Sequence, residues 1–123
     1  AQAAIPDDMQ GRSLLPLLKG EAVNDWRDSI YYHYYEYPSV HMVPKHNGIR
    51  TERYKLMHFY EFGEWEFYDL ENDPEELNNL YGNPEFAELI ETHKAKLVSL
   101  KEYYDDDSEL PEMPEAWKLK MRP

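Results

Sequence analysis

The sequence contains no cysteine. That absence removes thiol nucleophiles, disulfide frameworks and cysteine–zinc sites. It fixes no redox compartment, because many exported proteins also lack cysteine. No apolar run approaches the roughly 20 residues that a membrane-crossing helix needs. Positive charge is scarce: 13 Lys and Arg stand against 25 Asp and Glu, a formal net charge of −12. Such a balance argues against nucleic acid or an anionic membrane as the main partner. The G-x-S-x-G elbow of serine hydrolases is missing, and Ser13, Ser29, Ser39, Ser99 and Ser108 all sit in cap, edge or tail contexts. The opening "AQAAIPDDMQG" has no charged segment followed by an apolar one, so it reads as the middle of a longer chain rather than as a signal peptide.

What is present suffices for one modest domain, in which about two thirds of the unfolded chain's surface becomes buried. Hydrophobic residues make up 41% of the 123, enough for a core without cross-links. "GRSLLPLLKG" predicts a short helix, with Ser13 as its N-cap, Pro16 confined to the first turn and Gly20 as its stop. A polar connector follows, in which Trp26 suits an anchor packed on the domain better than a ligand platform. Ser29 to Tyr37 has the aromatic content and two-residue period of a strand: Ile30, Tyr32 and Tyr34 share one face, Tyr31, His33 and Tyr35 the other. Pro38 ends it. "HNGIRTERYKLMHFYEF" predicts strands near His46 to Thr51 and Tyr54 to Tyr60, and "EWEFYDL" a further strand after a turn at Gly63. Asp73-Pro74 can open a helical turn, and Gly82-Asn83-Pro84 resets the chain. Phe86, Leu89, Ile90, His93, Leu97, Leu100 and Tyr104 then recur at helical spacing. That helix would span roughly 30 Å, enough to cross a small sheet. The acidic, Pro-rich tail reads as extended. Strands followed by a helix give an α+β fold: a small antiparallel sheet of about four strands packed against a long C-terminal helix.

Cations are unevenly placed. Lys45, Arg50, Arg53 and Lys55 lie within eleven residues that hold only Glu52 as a counter-charge. On a strand, His46, Gly48 and Arg50 share the face opposite Ile49, and Gly48 would leave a gap through which a ligand could approach. Arginine suits bidentate contact with carboxylate, sulfate or phosphate, and histidine can donate to these or to a sugar hydroxyl. The same residues also fit a purely structural arrangement, with Arg50 paired to Glu66 and His46 capping a turn. His41 and His46 are too far apart for one helix face and lack a clustered carboxylate, which disfavours zinc. Asp105-Asp106-Asp107 reads as solvated charge rather than a calcium loop. The tyrosines fit core or domain-interface packing, or a sugar-stacking platform.

Five segments in order, "IPDDMQGRSLLPLLKGE", "WRDSIYYHYYEYP", "GIRTERYKLMHFY", "WEFYDLENDPEELNNLYGNPEF" and the closing helix, resemble the C-terminal end of type I sulfatases, nearest to bacterial enzymes that desulfate glycosaminoglycans and other glycans. The resemblance implies that residues 1–28 are the end of a large domain and its linker, that 29–104 are the sulfatase C-terminal subdomain, and that 105–123 are a tail. It implies a large N-terminal domain as partner, a sulfated glycan as substrate, and a periplasmic or secreted location. The family's nucleophile is a formylglycine made from C/S-x-P-x-R, a motif that this sequence does not contain. Formylglycine and calcium would therefore belong to the large domain, and this stretch alone would bring neither a catalytic group nor a cofactor. Substrate contacts carried over to matching positions rank His46 and Arg50 with His41 and Lys45. The alternative is a stand-alone carbohydrate- or protein-binding module that uses the tyrosine-rich strand; a third reading makes the domain a buttress only.

Overall fold

The computed structural model describes Pro6 and residues 9–37 and 41–107; the expected stop at Pro38 and the tail from Ser108 onward lie outside the described residues. A single-turn helix α1 (Leu15–Leu18) precedes four strands, β1 (Ser29–Tyr34), β2 (His46–Thr51), β3 (Tyr54–Phe59) and β4 (Glu64–Asp69), then a 3-10 turn (Pro84–Phe86) running into α2 (Ala87–Tyr103). The strands form one antiparallel meander in the order β1-β2-β3-β4. This is the expected α+β architecture.

Tight turns set the register. Between β2 and β3 no Asn-Gly is available; instead the Thr51 hydroxyl accepts from the Tyr54 amide at 2.9 Å and donates to the Tyr54 carbonyl at 3.1 Å. Arg53, projecting from that turn, forks onto Asp69 at the end of β4 with contacts of 2.9 and 2.7 Å. The arginine holds the Asp69 carboxyl well below the usual range for an aspartate. Gly63, between β3 and β4, has φ +69, a conformation that a side chain would strain. Asp73 accepts from the Leu77 and Asn78 amides, so the Asp-Pro pair makes a capped turn and no helix. Asn79 accepts from the Phe67 amide and Leu80 donates to the Phe67 carbonyl, which closes the outer edge of β4.

Alternation sends Tyr31, Ile49, Leu56 and Phe67, paired in register, to one face. There Ile49, Leu56 and Phe67 are fully buried against Ile90 and Leu97 of α2. Asn83 begins the helical segment by accepting from the Glu85 amide at 3.0 Å, with Pro84 in the first turn. α2 is followed by Asp105 at φ +52. Two expectations ran long: β1 ends at Tyr34 rather than Tyr37, and α2 has 17 residues because its first turn is 3-10.

Candidate functional site

Of the four residues favoured as ligand contacts, Lys45 and His46 sit at the start of β2. His46 donates through Nδ1 to the Pro44 carbonyl at 2.8 Å. Its ring stacks on Tyr34 (centroids 5.4 Å, 23°) and packs on Phe59 at 5.1 Å. Lys45 is only 6% exposed, its ammonium 3.3 Å from Glu61 in the β3–β4 turn. Both therefore anchor the base of the loop that follows β1. His41, farther out on that loop, is exposed and has no hydrogen bond or ring partner among the described residues.

Arg50 stands apart. Four residues along a strand separate it from His46 by about 13 Å. The gap expected over Gly48 is filled from within: Tyr32 lies across it, so that a Cβ there would sit 2.4 Å from the Tyr32 hydroxyl and 2.6 Å from the Leu56 carbonyl. The glycine admits a tyrosine ring and not a ligand, and His46 and Arg50 do not share one open site. The structural alternative is half met: His46 does cap the loop, but Glu66 accepts from Tyr68 and not from Arg50. Arg50 is exposed, makes no ion pair among the described residues, and lines a cleft with Leu14, Trp26, Arg27 and Ile30. Trp26 is clasped between the guanidinium groups of Arg12 and Arg27 at 5.1 and 5.4 Å, in keeping with an anchor.

One cluster escaped the sequence. Asp106 accepts from the Tyr31 hydroxyl and from His33 Nδ1, the latter at 2.8 Å, while His33 Nε2 lies 3.1 Å from the Tyr60 hydroxyl. Burial, with the charges of Glu61 and Asp106, pushes the Tyr60 phenol up to about 12. The Asp106 carboxylate can only accept, so a His33 proton sits on Nδ1, with the Tyr60 hydroxyl against Nε2. The relay docks the end of α2 on β1, and Tyr104 stacks on Tyr31 at 6.0 Å. Within a run of three aspartates nothing marks the middle one as the partner of residues 73 and 75 positions away; only the shared face of Tyr31 and His33 hinted at it. Among the described residues no group of three or more His, Asp or Glu side chains is placed to hold a metal.

The family model for the C-terminal part of N-sulphoglucosamine sulphohydrolase matches residues 1–103. The chain belongs to this family. It is 44% identical over 110 residues to an N-acetylglucosamine-6-O-sulfatase of Bacteroides thetaiotaomicron, covering 87% of this chain and 20% of that protein. Its fold superposes with TM-score 0.81 and 42% identity on a protein solved in complex with its substrate D-glucosamine-2-N,6-O-disulfate, covering 89% of this chain and 23% of the other. A 2-O glycosaminoglycan sulfatase gives TM-score 0.74 at 30% identity, over 85% and 22% of the two chains. The chain thus spans about one fifth of the length of the relatives that it matches.

Proposed function

We propose that this sulfatase C-terminal domain serves a longer periplasmic or secreted enzyme that hydrolyses sulfate esters on glycosaminoglycan-type glycans, with a sulfated glucosamine as the favoured substrate class. The observation that carries this reading is the 44% identity across 87% of the chain to a glucosamine-directed 6-O-sulfatase, joined to the fold match with a protein bound to a disulfated glucosamine. In the longer protein a preceding large domain would hold the formylglycine and calcium, and the domain described above would act as cover and as a source of substrate contacts.

Within that role the four basic residues divide by task. His41 is the group left to meet a sulfate or sugar hydroxyl; Lys45 and His46 hold the base of its loop; Arg50 remains a free cation at the far end of β2. The tyrosines favour packing over a stand-alone sugar platform. Tyr31 sits under α2, Tyr32 over Gly48 and Tyr34 on His46. The test is turnover of 6-O-sulfated N-acetylglucosamine and N,6-O-disulfated glucosamine by the full-length protein, with His41→Ala beside it. Desulfation with a KM raised about tenfold in the variant, the loss of one charged or polar contact, is the expected result. No desulfation of either sugar would sink the reading, and unchanged kinetics in the variant would remove His41 from the site.

A further inference from the structure

α1 is an anomaly on physical grounds. One helical turn cannot sustain itself in water, since nucleation is costly and short helices rely on burying an apolar face. Yet no residue of α1 is buried. Leu14, Leu15, Leu17 and Leu18 are 58, 54, 40 and 80% exposed, and Ile30 on β1 is 53% exposed. Leu14 and Ile30 line one cleft with Trp26; Arg27 and Arg50, neither in an ion pair among the described residues, border the same cleft, as do Glu52 and Asp28, the latter paired with Lys96. An apolar cleft beside a turn of exposed leucines, with arginines that make no ion pair among the described residues at its edge, has the make-up of an interface: an apolar centre with guanidinium donors available to carboxylates.

We infer that the surface formed by α1, Ile30 and Arg50 is the face on which the preceding, larger part of the protein docks, with Arg50 paired to a carboxylate of that part. The inference rests on the proposed reading of a longer sulfatase. The relatives are about five times as long as the stretch they share with this chain, so most of the folded mass is available to cover the patch. The aromatic and basic end of the sheet, around His41 and His46, then stays clear of the docking contact.

The full-length protein tests this by hydroxyl-radical footprinting, read residue by residue after correction for intrinsic reactivity. Val98 and Tyr103 on the outer side of α2, 57 and 76% exposed, are the internal references. Docking takes half-exposed leucines to the few-per-cent exposure of a core residue, so Leu14, Leu15, Leu17, Leu18 and Ile30 should label about fivefold or more below the references. Labelling equal to the references overturns the inference. Protection that vanishes on dilution, together with a dimer by sedimentation, assigns the face to a second copy and overturns it too. Arg50→Ala should lower the melting temperature of the full-length protein while leaving KM within about twofold, and Arg50→Lys should recover part of the loss. A raised KM with unchanged melting would assign Arg50 to the glycan and overturn its docking role. Protection without any sulfatase activity would support the docking face while removing the proposed function, so the two readings fail separately.

Discussion

Under α2 the sheet buries hydrocarbon. Ile49, Leu56 and Phe67 meet Ile90 and Leu97, with Tyr54 stacked on Phe67 at 5.4 Å and His93 edge-on to both rings. On the reverse side of the same strands the central row is Tyr32, Gly48, Met57 and Glu66, flanked by the Lys55–Glu76 ion pair and the Tyr34–His46–Phe59 group. The first face gains stability from apolar area and close packing, with a missing methylene felt directly. Among the described residues the second has no helix above it, and its surface is filled by long aromatic and ionic side chains. The hydroxyls of Tyr32 and Tyr34 are buried there with no hydrogen-bond partner among the described residues. A core specified by volume and a face specified by ring placement respond to different substitutions.

The sharpest break is in the core. Phe67→Ala should cost about 3–5 kcal/mol, because the ring is fully enclosed and its neighbours span both layers. A urea midpoint close to wild type would mean that α2 does not depend on the sheet as described. Gly48→Ala comes next, at about 1–3 kcal/mol from overpacking. The new methyl group meets the Tyr32 ring and also the Leu56 carbonyl, which cannot swing away. If the alanine variant is as stable as wild type, the reverse face is looser than its row of rings implies.

A smaller, pH-dependent effect concerns Arg53. Its fork lowers the Asp69 pKa, principally by hydrogen bonding. A depressed carboxylate contributes stability above its unfolded value of about 3.9 and loses it as pH falls through the lower folded value. Denaturant midpoints should therefore separate wild type from Arg53→Met most at neutral pH, and the gap should narrow progressively as pH falls below about 4 toward the depressed folded value. A gap that does not narrow at all between about pH 5 and about pH 2 would show lost packing instead of lost charge. Tyr32→Phe should do least: removing a buried, unpartnered hydroxyl leaves stability unchanged within about 0.5 kcal/mol or slightly improves it. A clear loss would reveal a hydrogen bond to that oxygen.

The hydrocarbon face was readable from the sequence, since a period of two puts Ile49 inward and a period near 3.6 lines up Ile90, His93 and Leu97. So were the four strands, because glycine, proline and asparagine punctuate them. The reverse face was not. Gly48 signals that something approaches closely, and the pattern does not say whether the visitor is a ligand or Tyr32 from the adjacent strand. Likewise Lys45 and His46 look like free basic groups until Glu61 and the Pro44 carbonyl are brought against them. The sequence lists these cations without their tertiary partners, and the partners decide which cation is left to act.

Asp106 joins Tyr31 and His33 across 75 and 73 positions of chain. In a polypeptide made from its N-terminus, the first strand is synthesised long before the carboxylate that fastens it. Ribosomes holding nascent chains that end before Asp106 would therefore carry a domain whose meander can form while β1 lacks its clasp, with closure of so long a loop among the later and slower events.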